Sequence, residues 1–186
     1  WAQWGMNTEL TGPVEIWGHA EFPKSGLWDV HGIFRTEAKY ANGVHMIVSN
    51  ELPNGIKFEG TEGWIFVTRG NYRATASDPV AGNNGVKPLE GSNDKIIKSV
   101  LGPNEVHLYE SSDHHGNWLD CVRSRKPTIA PVEVAHRSCS ACLLHHIAMK
   151  LKRKVYWDPA KERFKNDDAA NKLLSRPQRS PYIVGK

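Results

Sequence analysis

Four residues in one stretch have the types that ligate metals: His136, Cys139, Cys142 and His145 recur every three positions. On a helix each step of three turns a side chain by about 300°, so His136 and His145 point to opposite sides and cannot share an ion. The cysteines then read as small buried residues and the histidines as helix-surface groups. Cys139 and Cys142 also form a C-x-x-C pair. A thioredoxin-like redox pair belongs at a helix N-terminus after a strand, whereas this one falls mid-helix. No metal ligand is expected.

A second set, Asp113-His114-His115-Gly116-Asn117, opens a helix. Asp113 there can serve as the cap, with Trp118, Leu119 and Val122 turned to the core. Alternatively His114 or His115 projects into a cleft and hydrogen-bonds a polyol or sugar, with Asn117 beside them. Seven tryptophans are many for 186 residues, and tryptophans on strands can stack on sugars. A non-catalytic carbohydrate-binding module is therefore the alternative to an enzyme domain, although Trp1, Trp4 and Trp118 fall at helical positions and are expected in the core. Neither G-x-G-x-x-G nor G-x-x-x-x-G-K-[ST] occurs, so no nucleotide cradle is recognisable.

These groups need elements to position them. Trp1 to Met6 reads as the last turn of a helix without a capping residue before it, and Val14 to Phe22 as a strand. The next two strands meet at Asn42-Gly43, where a three-residue loop with Gly43 at positive φ pairs Tyr40 with Val44 and aligns the apolar side chains on one face. In a second hairpin, Ile56 to Gly60 and Gly63 to Arg69 flank Thr61-Glu62. Pairing Glu59 with Trp64 puts Ile56, Phe58, Ile65 and Val67 on one face and Lys57, Glu59, Trp64 and Phe66 on the other. Aromatics on both faces predict a sheet covered on both sides, by a subunit or domain contact.

Residues 75–105, rich in Gly, Pro, Asn and Asp, read as a long loop. Helices follow over Asp113 to Arg125 and Val132 to Leu151, the latter burying Val134, Ala141, Leu144, Ala148 and Leu151. A small hairpin turns at Asp158-Pro159 within Val155 to Phe164, and a short helix covers Asp168 to Ser175. Strands followed by helices predict an α+β layer, a large, mostly antiparallel, open-faced sheet with helices on one face.

Composition narrows the function classes. With 39% apolar and 24% charged residues and no long apolar run, the chain is neither disordered nor membrane-spanning. Three cysteines make no disulfide framework and leave the compartment open, leaning cytoplasmic rather than periplasmic. Residues 147–186 hold eleven of the 24 Lys and Arg but four of the 20 Asp and Glu. Lys150, Lys152, Arg153 and Lys154 fit a helix C-terminus, where the dipole favours cations. They form no run of five or six like charges, so nucleic acid is not an expected partner.

Several motifs follow one another in order: Ala2-Gln3-Trp4-Gly5-Met6, Gly12-Pro13-Val14-Glu15, Tyr40-Ala41-Asn42-Gly43-Val44, Phe58-Glu59-Gly60-Thr61-Glu62-Gly63-Trp64-Ile65, Asp113-His114-His115 with Leu119 to Pro127, and Trp157 to Phe164. Together they resemble the C-terminal half of the glucose-fructose oxidoreductase and inositol dehydrogenase (Gfo/Idh/MocA) family. The resemblance covers nearly the whole chain. It implies a single substrate-binding and oligomerisation domain over residues 1–186, without the N-terminal Rossmann domain that binds NAD or NADP. In that family hydride passes to or from a sugar or cyclitol carbon, and a lysine, with an Asp and a His on a helix, handles the proton.

None of those catalytic or cofactor-binding residues carries over. The lysine belongs to a Glu-Lys-Pro segment of the Rossmann half, which Arg125-Lys126-Pro127, following a helix, does not match, and the Asp/His motif would precede Trp1. The resemblance thus implies a chain inactive alone, binding no cofactor tightly, with a sugar or polyol substrate, the Rossmann domain and further copies of itself as partners. His114, His115 and Asn117 are the substrate-contacting candidates, with Trp28 in the Phe22–Trp28 loop and Trp64 behind them.

Overall fold

The computed structural model describes residues 1–68 and 88–183. Along the chain run α1 (Ala2–Gly5), β1 (Glu15–Ala20), β2 (Phe34–Lys39), β3 (His45–Ser49), β4 (Ile56–Gly60), β5 (Gly63–Val67), β6 (Leu89–Gly91), α2 (Asp94–Ile97), α3 (His114–Ser124), α4 (Val132–Leu151), β7 (Val155–Asp158), β8 (Arg163–Phe164) and α5 (Asp168–Asn171), then a 3₁₀ turn, Lys172–Leu174. The chain divides into two compact units, Trp1–Gly5 with Pro53–Pro131 and Met6–Leu52 with Val132–Lys186. The α+β class is present. Among the described residues the strands, antiparallel throughout, form a five-stranded sheet, β3-β2-β1-β7-β8, and a three-stranded one, β4-β5-β6. Leu52-Pro53 separates β3 from β4, and proline lacks the N–H that would continue a ladder.

The unit containing α4 is built on the five-stranded sheet, antiparallel in every pair. At its first hairpin Tyr40 N donates to Val44 O (2.9 Å) and Gly43 N to Tyr40 O (3.0 Å), with Gly43 at φ 89°. This is the three-residue loop that the apolar alternation demands, because a two-residue loop would have turned Val44, Met46 and Val48 to the face of Glu37 and Lys39. The inner face then presents Ile16, Ala38 and Tyr40 to Leu144, Ile147 and Ala148 of α4, with Val155, Trp157 and Phe164 completing the core. Trp157 and Phe164 meet edge to face at 4.9 Å.

Helix α4 spans the range expected, but its buried surface differs from the predicted stripe: Ala141, Leu144 and Ala148 are buried, whereas Val134 and Leu151 are only partly so. His145, Ile147 and Met149 are buried as well. Two expectations are corrected here. His145 is a core residue and not a helix-surface group, because it lies beside Leu144 on the side that the sheet covers. Cys139 and Cys142 are exposed, and Cys121 alone of the three is buried, since Ala141, Leu144 and Ala148 set the direction of the core and the cysteines fall off that line. The basic cluster is tied locally. Arg153 grips Asp167 with two bonds, at 2.6 and 2.8 Å, and Lys154 reaches Glu15 at 3.0 Å.

In the other unit β4 and β5 pair Glu59 with Trp64 and Phe58 with Ile65, the register read from the sequence. One face of this sheet is covered by short helices: the Phe58 ring lies against Gly5 of α1, and Ile96 and Ile97 of α2 lie over Gly63 and Gly91. On the opposite face Trp64 is half-buried, with Lys57 Nζ 5.0 Å above its ring. The 75–105 segment is not all loop. Its part up to residue 87 lies outside the described residues, but β6 and α2 occupy Leu89–Gly91 and Asp94–Ile97. Three residues ending in glycine are too short to show alternation, and α2 rests on a cap in which Asn93 accepts from Ile96 N at 3.0 Å.

The tryptophans expected in the core are not there. Trp1 and Trp118 are 61% and 59% exposed, and Trp4, Leu119 and Val122 are exposed too. Helix α1 buries Gln3 and α3 buries Cys121, so each helix turns a different side inward from the one its bulky residues suggested.

Candidate functional site

Helix α3 starts where its sequence caps it. Asp113 accepts from His115 N (3.0 Å) and Gly116 N (2.9 Å), and its carbonyl takes Asn117 N at 2.9 Å. The helix ends at Arg125, whose left-handed φ of 60° breaks the spiral ahead of Pro127. Asn117, one turn in, ties down the chain on both sides of the helix. Its Nδ2 donates to the Tyr109 hydroxyl at 2.5 Å, and its Oδ1 accepts from Ile129 N at 3.1 Å.

Around this first turn lies an open cleft of about 490 Å³, lined by Tyr109, Glu110, Ser111, Ser112, Asp113, Asn117 and Asp120. Of the substrate-contacting candidates, Asn117 lines it. His114 and His115 are exposed on the same turn without doing so. Trp64 stands on β5 of the same unit under Lys57, away from the lining, and Trp28, 74% exposed, belongs to the other unit in the loop between β1 and β2.

Tyr109, Glu110, Ser111, Ser112 and Asp120 were not anticipated. The signal was available in Asp113, Asn117 and Asp120, spaced four and three apart on one helix face behind a Ser-Ser cap run. Hydroxyls that donate or accept stand here beside carboxylates that only accept, and among the described residues no lysine or arginine lines the cleft. Such a set suits a neutral, hydroxyl-rich molecule, each of whose O–H groups can donate to a carboxylate while accepting from a serine or tyrosine.

In the other unit a polar pair sits in the core. His145 Nδ1 lies 2.8 Å from Thr36 Oγ1, which itself donates to Val48 O at 3.3 Å. The hydroxyl proton is thereby spent on the carbonyl, so Nδ1 carries the imidazole hydrogen and Nε2 keeps a buried lone pair, with no partner among the described residues. Burial pushes the His145 pKa down to about 4 and the Tyr40 hydroxyl up to about 12, Cys142 adding to the latter. Both groups are neutral core members. Among the described residues no group of three or more His, Cys, Asp and Glu side chains could hold a metal ion.

Residues 78–184 match a protein family described as the oxidoreductase family, C-terminal alpha/beta domain, of the Gfo/Idh/MocA group. The chain belongs to this family. The matched stretch contains α3 and its cleft, α4, β7 and β8. No curated protein and no solved structure matches the chain. Among the described residues of this Gfo/Idh/MocA domain no Rossmann-type dinucleotide cradle is found. Such a cradle is a parallel strand–glycine turn–helix unit, whereas every strand pair among the described residues is antiparallel.

Proposed function

We propose that this chain is the substrate-binding half of an NAD(P)-dependent oxidoreductase acting on a hydroxyl or carbonyl of a sugar or cyclitol. The family membership supports the reaction class, and the cleft at the start of α3 is the observation that carries the substrate class. In this reading Ser111, Ser112, Tyr109 and Asp120 bind hydroxyls, and Asn117 holds the two flanking segments that shape the wall. Asp113 keeps its carboxylate on the helix cap, so it contributes position more than contact. His114 and His115 stand close enough along the chain to serve as a rim. NAD or NADP would be held by a separate Rossmann domain, since the residues described here offer no cradle, and this chain's part is to orient the substrate and exclude water from one side of it.

The outer face of the five-stranded sheet is read as the contact between copies. It carries an aromatic and charged platform, with Trp17 stacked on His45 at 5.6 Å and Lys154 Nζ 4.3 Å above the indole, and it leaves Ile47 and Tyr156 exposed. Exposed Trp28 and Trp118 favour the second reading, a carbohydrate-binding module without chemistry.

One experiment separates the two. A protein joining this domain to its Rossmann domain is assayed by nicotinamide absorbance against a panel of sugars and cyclitols, beside a sugar titration of this chain alone. Turnover is expected, with Asp120→Asn raising KM about tenfold, the effect of losing one hydrogen bond to a charged group. Sugar binding by this chain with no turnover in the joined protein would instead establish the binding module.

A further inference from the structure

The loop joining β1 to β2 presents its apolar residues outward: Leu27, Trp28 and Val30 are 89%, 74% and 58% exposed. Its base is nonetheless well tied. Glu21 N donates to Ile33 O (2.9 Å), Gly32 N to Glu21 O (2.8 Å), Asn50 Nδ2 to Gly32 O (3.1 Å) and Phe34 N to Asn50 Oδ1 (3.0 Å).

Against that base four rings gather. His31 meets Phe34 at 4.6 Å and Phe22 at 6.2 Å, while His146 of α4 stands 5.8 Å from His31 and 6.1 Å from Phe22. The charged groups facing His146 are Lys150 on its own helix, Arg176 beyond the 3₁₀ turn, and Asp29 in the loop. Two cations thus oppose one carboxylate. Neighbouring His145 turns into the core toward Thr36 and is not part of the cluster.

We propose that His146, packed against His31 and Phe22, forms an acid-sensitive latch: neutral, it holds the loop that presents Leu27 and Trp28, and its protonation releases it. Two neutral imidazoles pack among phenyl rings as apolar bodies with a polar edge. Charging His146 would add a third cation to a half-buried ring cluster that Lys150 and Arg176 already make positive. Burial first, then Lys150, His31 and Arg176, hold the His146 pKa below its ordinary value, with Asp29 opposing. A histidine whose pKa is lowered in the packed state binds protons better once released. The latch is therefore closed above the ordinary histidine pKa and opens as pH falls below it. This inference does not rest on the oxidoreductase reading.

Amide hydrogen exchange of Glu21 and Gly32, measured by NMR at about pH 7.5 and about pH 5.5 and corrected for intrinsic rates, tests it. In the wild-type chain these amides should exchange several-fold faster at the lower pH, because the lowered His146 pKa makes the released state the better proton binder. The β1–β2 ladder should keep its protection. His146→Phe retains a ring at the site and His146→Gln a polar edge, and each should abolish the acid response; if one does not fold, the other decides. A pH-independent loop, an acid response that survives the substitution, or β1–β2 amides opening in step with the loop would each overturn the proposal.

Discussion

His145 enters the core uncharged, which links folding to pH through one residue. Its pKa lies at about 4 in the folded chain because burial disfavours the cation, against 6.5 for the free group. A histidine depressed in this way is neutral in the native state, so its full contribution to stability is present above about pH 6.5 and is lost as pH falls from there toward 4. The loss should approach on the order of 3 kcal/mol, read as the urea unfolding free energy at successive pH values. His145→Gln should flatten that slope. Thr36→Val should cost about 1–3 kcal/mol at neutral pH, because it leaves the imidazole N–H in the core without an acceptor, and thermal unfolding would register it. The spacing of His136 and His145 turns the two to opposite sides of one helix. Which of them is buried was not legible, because both stand in the same helical pattern and only the position of the sheet chooses between them.

At the scale of elements, local rules carried far. The Asn42-Gly43 loop and the Glu59–Trp64 register could be read because each hairpin has one arrangement that keeps its apolar side chains on one face. Gly43 holds φ 89° with nothing within 4 Å of where a Cβ would sit, so Gly43→Ala should cost about 1 kcal/mol from backbone conformation alone, measured by urea unfolding. Gly18→Ala should be far worse and show as a failure to accumulate folded protein. A Cβ there would stand 2.6 Å from Thr36 Cα and 2.5 Å from Arg35 O, backbone that cannot step aside without opening the β1–β2 ladder. The cap of α3 was equally legible from Asp113, and Asp113→Ala should remove about 1 kcal/mol while Asp113→Asn retains most of it. The inward sides of α1 and α3 were not, since one turn of helix, or a helix burying only Cys121, has no apolar stripe strong enough to read.

For the whole molecule the outer face of the five-stranded sheet decides what can be tested. Trp17, Glu37 and Ile47 share that face across β1, β2 and β3, opposite the core residues Ile16 and Ala38. If copies meet there, Ile47→Arg should shift sedimentation toward a smaller species while leaving far-UV circular dichroism unchanged, whereas an unaltered assembly would remove this face from consideration. By itself the sequence determined the hairpins, the extents of α3 and α4, the α+β class and, through ordered motifs, the family. Those features follow from neighbours a few residues apart or from motif order, both of which a linear string preserves. Tertiary structure alone decided that the strands divide between two sheets, that His145 is buried on Thr36, that the tryptophans of α1 and α3 stay exposed, and that Tyr109, the two serines and Asp120 meet in one cleft. Each of these depends on which element arrives from elsewhere in the chain to cover a given side chain, and hydrophobic spacing records that a face is apolar without recording what will lie against it.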